Sequence, residues 1–388
     1  AELFGYSIPV YHFASFVPFC IGIILAVTLL RKRYGNLPAA FFVMISGLSA
    51  PCLEYNMEIR MYALAFLGVA GCYYCVSRIL SGSRAAGWIG MVFWASVAAY
   101  SHYYALVAVG IMMFVASVAA CLRYGGRTWI KGAASIAAFA VIYAPWLSQL
   151  FRATESVSQR WWMTEIEGMD SSLAMIGCGA SMSGIVLGLA LLLGGVLFLT
   201  ESSLFRVEKK EDRLLVDVTV PSTKGWSAET FVYAVGLLTI VGTVAFAYGL
   251  SMVMQPLVTG RYLYPLCAVT AIMLTAGAKR VLDKLRGLDG RLSGRWLEGA
   301  GKGALVLALA LLFIKGIGNY GSYKDTVENE DIRTGEVLYY IGEPDEDTQF
   351  VNHGIQHIGW TVLSYYFPES EVVNGNFSQA SADDVWYF

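Results

Sequence analysis

The chain is predicted to fold as an all-α polytopic membrane protein. Of its 388 residues, 56% are hydrophobic and only 14% are charged, and the mean hydropathy is +0.56. Soluble domains carry about 25% charged residues. The apolar residues are grouped into about ten segments, most of them near the length of roughly 20 residues that a bilayer requires. The basic residues lie mainly on one side of these segments.

The order of the segments predicts the spans. They lie near residues 13–30, 38–53, 61–80, 86–101, 103–122, 129–149, 180–200, 229–252, 262–278 and 303–319. The second segment is short, and Pro51 is expected to end it. The seven cysteines lie within or at the ends of such stretches, where a thiol packs as a small hydrophobe, so no disulfide framework is predicted.

Alternating the connections between two sides puts most of the 27 basic residues on one of them. The opposite side has Arg60, Arg152, Arg160, Arg261, Lys324 and Arg333. By the positive-inside rule the basic side is cytoplasmic. We therefore expect a multi-pass protein of the cell membrane whose active face is extracytoplasmic. Residue 1 is also placed outside, so we expect one more span upstream of it.

Two domains are expected. Residues 1–319 form the transmembrane domain, with a solvated cytoplasmic linker at about 201–228 that contains the charge run VEKKEDR. Residues 320–388 form a small extracytoplasmic α/β domain, because acidic residues dominate there. Its segments TQFVN and EVVNG are predicted strands on either side of a helix IGWTVLSYYF. It stops within the strand-like VWYF, so we expect the domain to be truncated.

A first candidate site lies in the segment LEYNMEIRMYAL. Glu54 and Glu58 are four residues apart and would share one face of a helix. Arg60 follows at the membrane boundary, where its planar guanidinium suits the paired oxygens of a phosphate. The structural alternative is an ion pair of Arg60 with one of these glutamates that anchors a helix end.

A second candidate lies in QPLVTGRYLYPL, where Arg261 and Tyr262 begin the ninth segment. Arg261 is far from Arg60 in sequence but is predicted at the same membrane depth. Two such arginines are what a clamp on a pyrophosphate or a lipid phosphate requires. Structural anchoring of the helix end is the alternative.

Two aromatic clusters also map to this side. The turn AAYSHYYAL contains His102 and Tyr103, and a neutral imidazole there can donate to a phosphate or bind a metal. Arg160, Trp161 and Trp162 lie in the loop 151–170, where indole rings can stack on a sugar. In both clusters an ordinary interfacial aromatic belt is the alternative.

The sequence does not support a phosphate-binding loop, a nucleotide site or an acidic metal-binding triplet. The segment GAGKGA around Lys302 lacks the residues of a phosphate-binding loop, and no cytoplasmic loop offers a nucleotide site. Asp345, Glu346 and Asp347 are interpreted as a solvated turn, so no metal-ligand set is assigned. The expected partner is membrane lipid, and no nucleic-acid partner is expected.

The motifs EIRMYALAFLGVAGCYYCVSRIL, W-x5-YSHYYAL, APWL and GRYLYPL occur in this order. Together they resemble the membrane glycosyltransferases of the GT-C fold, in particular the bacterial branch akin to protein O-mannosyltransferases and lipid A aminoarabinose transferases. The resemblance covers roughly residues 3–320. It implies transfer of a sugar from a polyprenyl-phosphate donor to a glycan, lipid or protein acceptor outside the cytoplasm.

The resemblance also implies roles for residues. Arg60 and Arg261 would hold the lipid phosphate, with His102, Tyr103 and Tyr262 nearby. The general base of the family is an Asp in the first outer loop, which is expected upstream of residue 1. Glu54 and Glu58 would then support Arg60 or hold a divalent metal, and no other cofactor is assigned. His12 stands where relatives often have Arg.

The competing class is a transporter or flippase of lipid-linked sugars that performs no covalent chemistry. Such proteins place ionisable groups or broken helices near the bilayer midplane. Here the basic residues within the predicted spans lie near the span ends, which favours chemistry at the interface. A third alternative is an enzymatically silent homologue whose tail binds cell-wall polymers.

Overall fold

The computed structural model describes residues 8–58, 60–82, 85–152, 168–177, 205–210, 213–218, 226–253, 258–292, 296–341, 348–352, 367, 371–374 and 384–387. The chain divides into two units, residues 1–323 and 324–388. The helices are α1 (Ile8–Tyr34), α2 (Asn36–Leu48), α3 (Ala50–Met57), α4 (Tyr62–Gly82), α5 (Ala85–Ser101), α6 (Tyr103–Tyr124), α7 (Thr128–Tyr143), α8 (Met169–Ile176), α9 (Ala228–Val253), α10 (Cys267–Leu292) and α11 (Trp296–Ile341). Short 3₁₀ helices at Ala144–Trp146 and Gly260–Leu266 follow α7 and precede α10.

Among the described residues, seven helical stretches are long and apolar enough to cross a membrane, which confirms the all-α polytopic class. They are Ser15–Tyr34, Tyr62–Gly82, Tyr103–Tyr124, Thr128–Arg152, Ala228–Val253, Gly260–Gly287 and Trp296–Asn329. Helices α2 and α3 meet the same test only as a bent pair, and α5 is apolar but shorter. The predicted span at 180–200 lies outside the described residues, so the count of ten remains a prediction.

The second predicted span is broken in its middle. Helices α2 and α3 meet at an angle of 61° on either side of Ser49, whose backbone is extended. Pro51 therefore does not end this segment, as the sequence had suggested, but lies in the first turn of α3. Proline is tolerated there because the N–H that it lacks would have no helical partner. Asn319 of α11 donates its Nδ2 proton to the carbonyl of Leu48 at 2.9 Å.

Helices α4 and α10 lie in the middle of the bundle. About three quarters of α4 is buried, at 72% of its apolar window, and the window of Gly260–Gly287 is 83% buried. The corresponding windows of α1 and α11 are buried by only 17% and 6%. The apolar surface of these peripheral helices is therefore left to face lipid.

Helices α4 and α5 pack at very short distance because small residues meet between them. A Cβ atom built on Gly68 would lie 2.6 Å from the backbone nitrogen of Ala98. One built on Gly71 would lie 2.4 Å from the indole of Trp94. Close approach over small residues supplies the dispersion contacts that hold membrane helices together.

The polar stretch expected as a solvated linker contains an antiparallel hairpin. Strand β1 (Phe205–Lys210) pairs with β2 (Arg213–Val218), with Phe205 opposite Val218. The prediction of a linker rested on the charged run VEKKEDR. The alternation of apolar and polar residues on both sides of that run is the pattern of a strand.

The second unit contains a small parallel sheet. Strand β3 (Thr348–Asn352) lies between β4 (Glu371–Asn374) and β5 (Asp384–Tyr387). The strands expected in TQFVN and EVVNG are therefore present. Except for Phe367, the helix expected between them lies outside the described residues. The ring of Phe367 stacks on the buried ring of Phe350 at 4.9 Å.

We predict that Gly68→Ala destabilises the protein because the backbone of α5 must move to accommodate the added methyl group. Overpacking of this kind costs about 1–3 kcal/mol. Thermal unfolding in detergent micelles measures the effect. Gly110→Ala in α6 is the matched control, since nothing lies within 4 Å of its added Cβ. Equal unfolding temperatures for the two variants would contradict the tight contact.

Candidate functional site

The predicted site residues gather at one end of the helical bundle. Helices α4 and α6 begin at this end, α3 and α5 end there, and the segment Gly260–Leu266 precedes α10 there. The segments that carry Arg60, His102 and Arg261 are therefore brought to one level of the bundle although they are distant in sequence.

Arg60 lies in the short connection between α3 and α4. Helix α3 ends with the backbone N–H of Glu58 donating to the carbonyl of Glu54 at 3.0 Å. The Nε of Arg60 then pairs with a carboxylate oxygen of Glu58 at 3.0 Å, and both side chains are about one third exposed. The predicted ion pair therefore exists, and the guanidinium has further N–H groups beyond the Nε that makes this contact. Glu54 is exposed on the same helix.

Tyr62 is the first residue of α4 and is completely buried. Its hydroxyl lies within electrostatic range of both Arg60 and Arg261, and also of Glu58. The Arg60 guanidinium approaches this hydroxyl without the geometry of a hydrogen bond, and no other described residue bonds to it. Two guanidinium groups from distant parts of the chain thus lie within electrostatic range of one buried phenol. A buried hydroxyl is normally hydrogen-bonded, so this one is suited to bind a ligand.

Arg261 lies in the 3₁₀ helix Gly260–Leu266. Its guanidinium carbon lies 5.4 Å from the ring centroid of Tyr262, a cation-π distance. The preceding Gly260 permits close packing on α8, because a Cβ there would lie 2.8 Å from Oγ of Ser171. The ring of Tyr264, three residues after Arg261, is buried against Phe66 at 5.7 Å. This apolar contact fixes the segment that presents Arg261.

His102 caps the N-terminus of α6. The backbone N–H of Tyr104 donates to its Nδ1 at 3.2 Å, so Nδ1 carries a lone pair and Nε2 carries the proton of the neutral ring. His102 is 7% exposed, and its burial lowers its pKa from 6.5 to about 4. At neutral pH it is therefore an uncharged donor of a hydrogen bond through Nε2. Its ring centroid lies 5.6 Å from that of Tyr62.

Aromatic rings connect His102 to the segment of Arg261. The centroid of Tyr262 lies 5.6 Å from that of His102, and Tyr104 stacks on Tyr262 at 5.6 Å. Tyr103 points elsewhere. It is 41% exposed and lies close enough to Tyr143 of α7 for their hydroxyls to interact electrostatically.

The structure thus brings together Arg60, Glu58, His102, Arg261 and Tyr262. Tyr103 is an exposed residue of the same turn, and Glu54 is exposed on α3, four residues before the Glu58 that pairs with Arg60. Arg160, Trp161 and Trp162 lie outside the described residues.

Three tyrosines of this site were missed as site residues. Tyr62 follows Arg60 by two residues, and Tyr264 follows Arg261 by three. Tyr104 lies one residue after Tyr103, which was the tyrosine predicted to belong to the site. Adjacent residues of a helix point about 100° apart, so a helix starting at Tyr103 sends only one of the two rings toward Tyr262. The cap at His102 was the signal that could have set this register.

No group of three or more His, Cys, Asp or Glu side chains that could hold a metal ion occurs within the part of the chain that the structure describes. The positive charge at the site comes instead from Arg60 and Arg261. Together with the hydroxyl of Tyr62 and Nε2 of His102, they offer hydrogen-bond donors and positive charge to a ligand. Such a set suits a phosphate-like anion, whose oxygens are acceptors.

We predict that the buried neutral state of His102 makes the protein less stable in mild acid. Because its pKa is about 4 when folded and 6.5 when unfolded, the unfolded chain binds the proton more readily. Stability is therefore lost as the pH falls through this range, by about 2 kcal/mol between pH 7 and pH 5.

His102→Asn is the test variant, because Asn keeps a side-chain acceptor at the N-cap and does not titrate in this range. Thermal unfolding in detergent at pH 7 and pH 5 should show a smaller loss for this variant than for the wild type. Equal losses would contradict a buried neutral His102.

No protein-family model matches the chain, and no curated protein is significantly similar to it in sequence. The geometry of the site and the pattern of the spans are therefore the basis on which its function is argued.

Proposed function

We propose that the protein is a membrane glycosyltransferase of the GT-C type that transfers a sugar from a polyprenyl phosphate to an acceptor on the extracytoplasmic side. The observation that supports this most is the convergence of Arg60 and Arg261 on the hydroxyl of Tyr62. In this proposal the pair holds the phosphate of the donor lipid. The acceptor is a glycan, a lipid or a protein.

The charge of the site matches the charge of the proposed substrate. Arg60 and Arg261 contribute two positive charges, and Glu58 offsets one of them through its ion pair. A sugar attached through a phosphodiester carries one negative charge. When the sugar leaves, the free phosphate monoester carries about 1.5 to 2 negative charges at pH 7. Hydrogen-bond donors that bind this additional negative charge stabilise the transition state more than the bound substrate. Such preferential stabilisation accelerates the reaction.

Two neutral groups are suited to meet that additional charge. The hydroxyl of Tyr62 is buried without a hydrogen bond to another described residue, and the Nε2 proton of His102 is available in its neutral ring. Both are preorganised by burial, so they need not be stripped of water when the substrate binds.

The proposed reaction is a displacement at the anomeric carbon. An acceptor hydroxyl forms the new bond to this carbon while the bond to the phosphate oxygen breaks, and the phosphate leaves with the electron pair. A general base removes the proton of the hydroxyl. The family resemblance implies that this base is an Asp of the first outer loop. Glu58 and Glu54 would support Arg60 or hold a divalent metal.

The distribution of charge supports the extracytoplasmic side. The basic run Arg31, Lys32 and Arg33 ends α1, and Arg123 lies in the last turn of α6. These ends are opposite to the end where α4 and α6 begin. By the positive-inside rule, this distribution supports a cytoplasmic basic end and an extracytoplasmic site.

A transporter of lipid-linked sugars is the second candidate, and the break between α2 and α3 favours it. Interrupted spans often form the binding sites of secondary transporters. At this break, however, the residues from Ser46 to Cys52 include no ionisable side chain other than the thiol of Cys52. The charged groups of the described site lie instead at the end of the bundle.

We predict that Arg60→Ala and Arg261→Ala each lower kcat/KM for the polyprenyl-phosphate donor by about 10- to 150-fold. A hydrogen bond to a charged group contributes about 1.5–3 kcal/mol, which corresponds to this range. The measurement is sugar transfer by the full chain reconstituted in lipid vesicles with a labelled donor.

Arg78→Ala is the control for this experiment. Arg78 is an exposed arginine near the opposite end of α4, so its removal should leave transfer unchanged. Undiminished transfer by both Arg60→Ala and Arg261→Ala would refute the phosphate clamp.

We also predict that the reconstituted full chain forms a glycosylated product and consumes the lipid-linked sugar. The assay follows the label both in the product and across the bilayer, using vesicles supplied with a heat-treated extract that contains candidate glycan, lipid and protein acceptors. Movement of the labelled lipid between leaflets without any product would favour the transporter.

A further inference from the structure

The connection between α3 and α4 is held by side chains of α1. The ring Nδ1 of His12 lies 2.7 Å from the carbonyl oxygen of Met57. The hydroxyl of Ser15 donates to the carbonyl oxygen of Arg60 at 3.1 Å. A carbonyl only accepts hydrogen bonds, so Nδ1 of His12 carries a proton. His12 and Ser15 are three residues apart and therefore lie on one face of the helix.

These bonds satisfy backbone groups that the helices leave open. Met57 is the last residue of α3, and Arg60 lies two residues before α4 begins. The last carbonyls of a helix have no partner within it. Among the described residues, no backbone N–H donates to the carbonyl of Met57 or Arg60 across this connection. The side chains of α1 therefore supply the bonds that the local chain does not.

The side-chain contact of Arg60 is weaker than this backbone anchorage. Its ion pair with Glu58 joins two side chains that are about one third exposed, and such pairs contribute about 0–1 kcal/mol. Glu58 also lies in the same connection, so the pair cannot fix the connection relative to the bundle. Ser15, in contrast, is 6% exposed and belongs to a different helix.

We propose that His12 and Ser15 are positioning residues that hold the backbone of Arg60 where its guanidinium can bind the phosphate of a lipid donor. This inference rests on the proposed function. Helix α1 is otherwise peripheral, with 17% of its window buried. The contacts of His12 and Ser15 with the connection would therefore determine the affinity for the donor.

The test combines two measurements on the full chain in lipid nanodiscs. Hydrogen exchange of the amides at 57–61 reports whether α1 holds the connection. Binding of polyprenyl phosphate reports whether that anchorage positions Arg60, and it does not depend on turnover. The variants are Ser15→Ala and His12→Leu, each of which removes one hydrogen bond.

We expect both variants to exchange faster at 57–61 and to bind polyprenyl phosphate about 2- to 13-fold more weakly, as the loss of one hydrogen bond implies. In the transfer assay, KM for the donor should rise while kcat changes less than twofold. His12→Asn should restore both readouts, because its Nδ2 occupies the place of Nδ1. Thr28→Ala should behave as the wild type, since among the described residues the hydroxyl of Thr28 donates to carbonyls of its own helix, those of Ile24 and Leu25.

The outcomes separate the inference from the function on which it rests. Unchanged exchange at 57–61 in both variants would overturn the anchorage, whatever the protein catalyses. Faster exchange with unchanged lipid-phosphate binding would overturn the positioning role. If the wild type binds polyprenyl phosphate and the variants weaken it but no sugar is transferred, the positioning role is supported and the glycosyltransferase proposal fails. A wild type that does not bind polyprenyl phosphate would overturn both.

Discussion

The contacts of Tyr62 hold together the three segments that form the site. Its buried ring lies 5.6 Å from His102 and 6.2 Å from Tyr264, measured between ring centroids. These partners come from the turn between α5 and α6 and from the 3₁₀ helix before α10. Each aromatic contact contributes about 0.5–1.5 kcal/mol beyond the burial of the rings. Through these contacts, the ring of Tyr62 joins the segment of Arg60 to the segment of Arg261.

The packing below the site explains why these rings lie at one level. The close contact of Gly68 with Ala98 fixes the depth at which α4 and α5 meet. Tyr62 lies six residues before Gly68 and His102 four residues after Ala98, so the two rings reach similar heights on antiparallel neighbours. Apolar contacts within the bundle thus determine where the side chains of the site lie at its end. The charged residues themselves contribute little to the fold.

The sequence predicted the helical class because the hydropathy of a segment depends only on its own residues and not on its contacts with other segments. It also indicated Arg60, His102 and Arg261, since polar residues at span ends stand out against apolar neighbours. It did not indicate Tyr62 and Tyr264 as site residues, because tyrosines at a boundary are common and only tertiary packing distinguishes these two. The prediction that Pro51 ends the second segment was wrong for a related reason, since the bend lies at Ser49 and the helix continues beyond Pro51. Proline lacks a backbone N–H and restricts the backbone of the preceding residue, but the site of bending depends on what packs nearby.

Arg60 and Arg261 are separated by about 200 residues, which a ribosome adds in about 10–40 s at 5–20 residues per second. Helices α4 to α6 contact one another within a short stretch of chain and can associate in the bilayer during that interval. The 3₁₀ helix with Arg261 becomes available only after α9 has been inserted. The two halves of the site are therefore joined late in biogenesis, and a nascent chain that stalls before residue 260 carries one arginine without its counterpart.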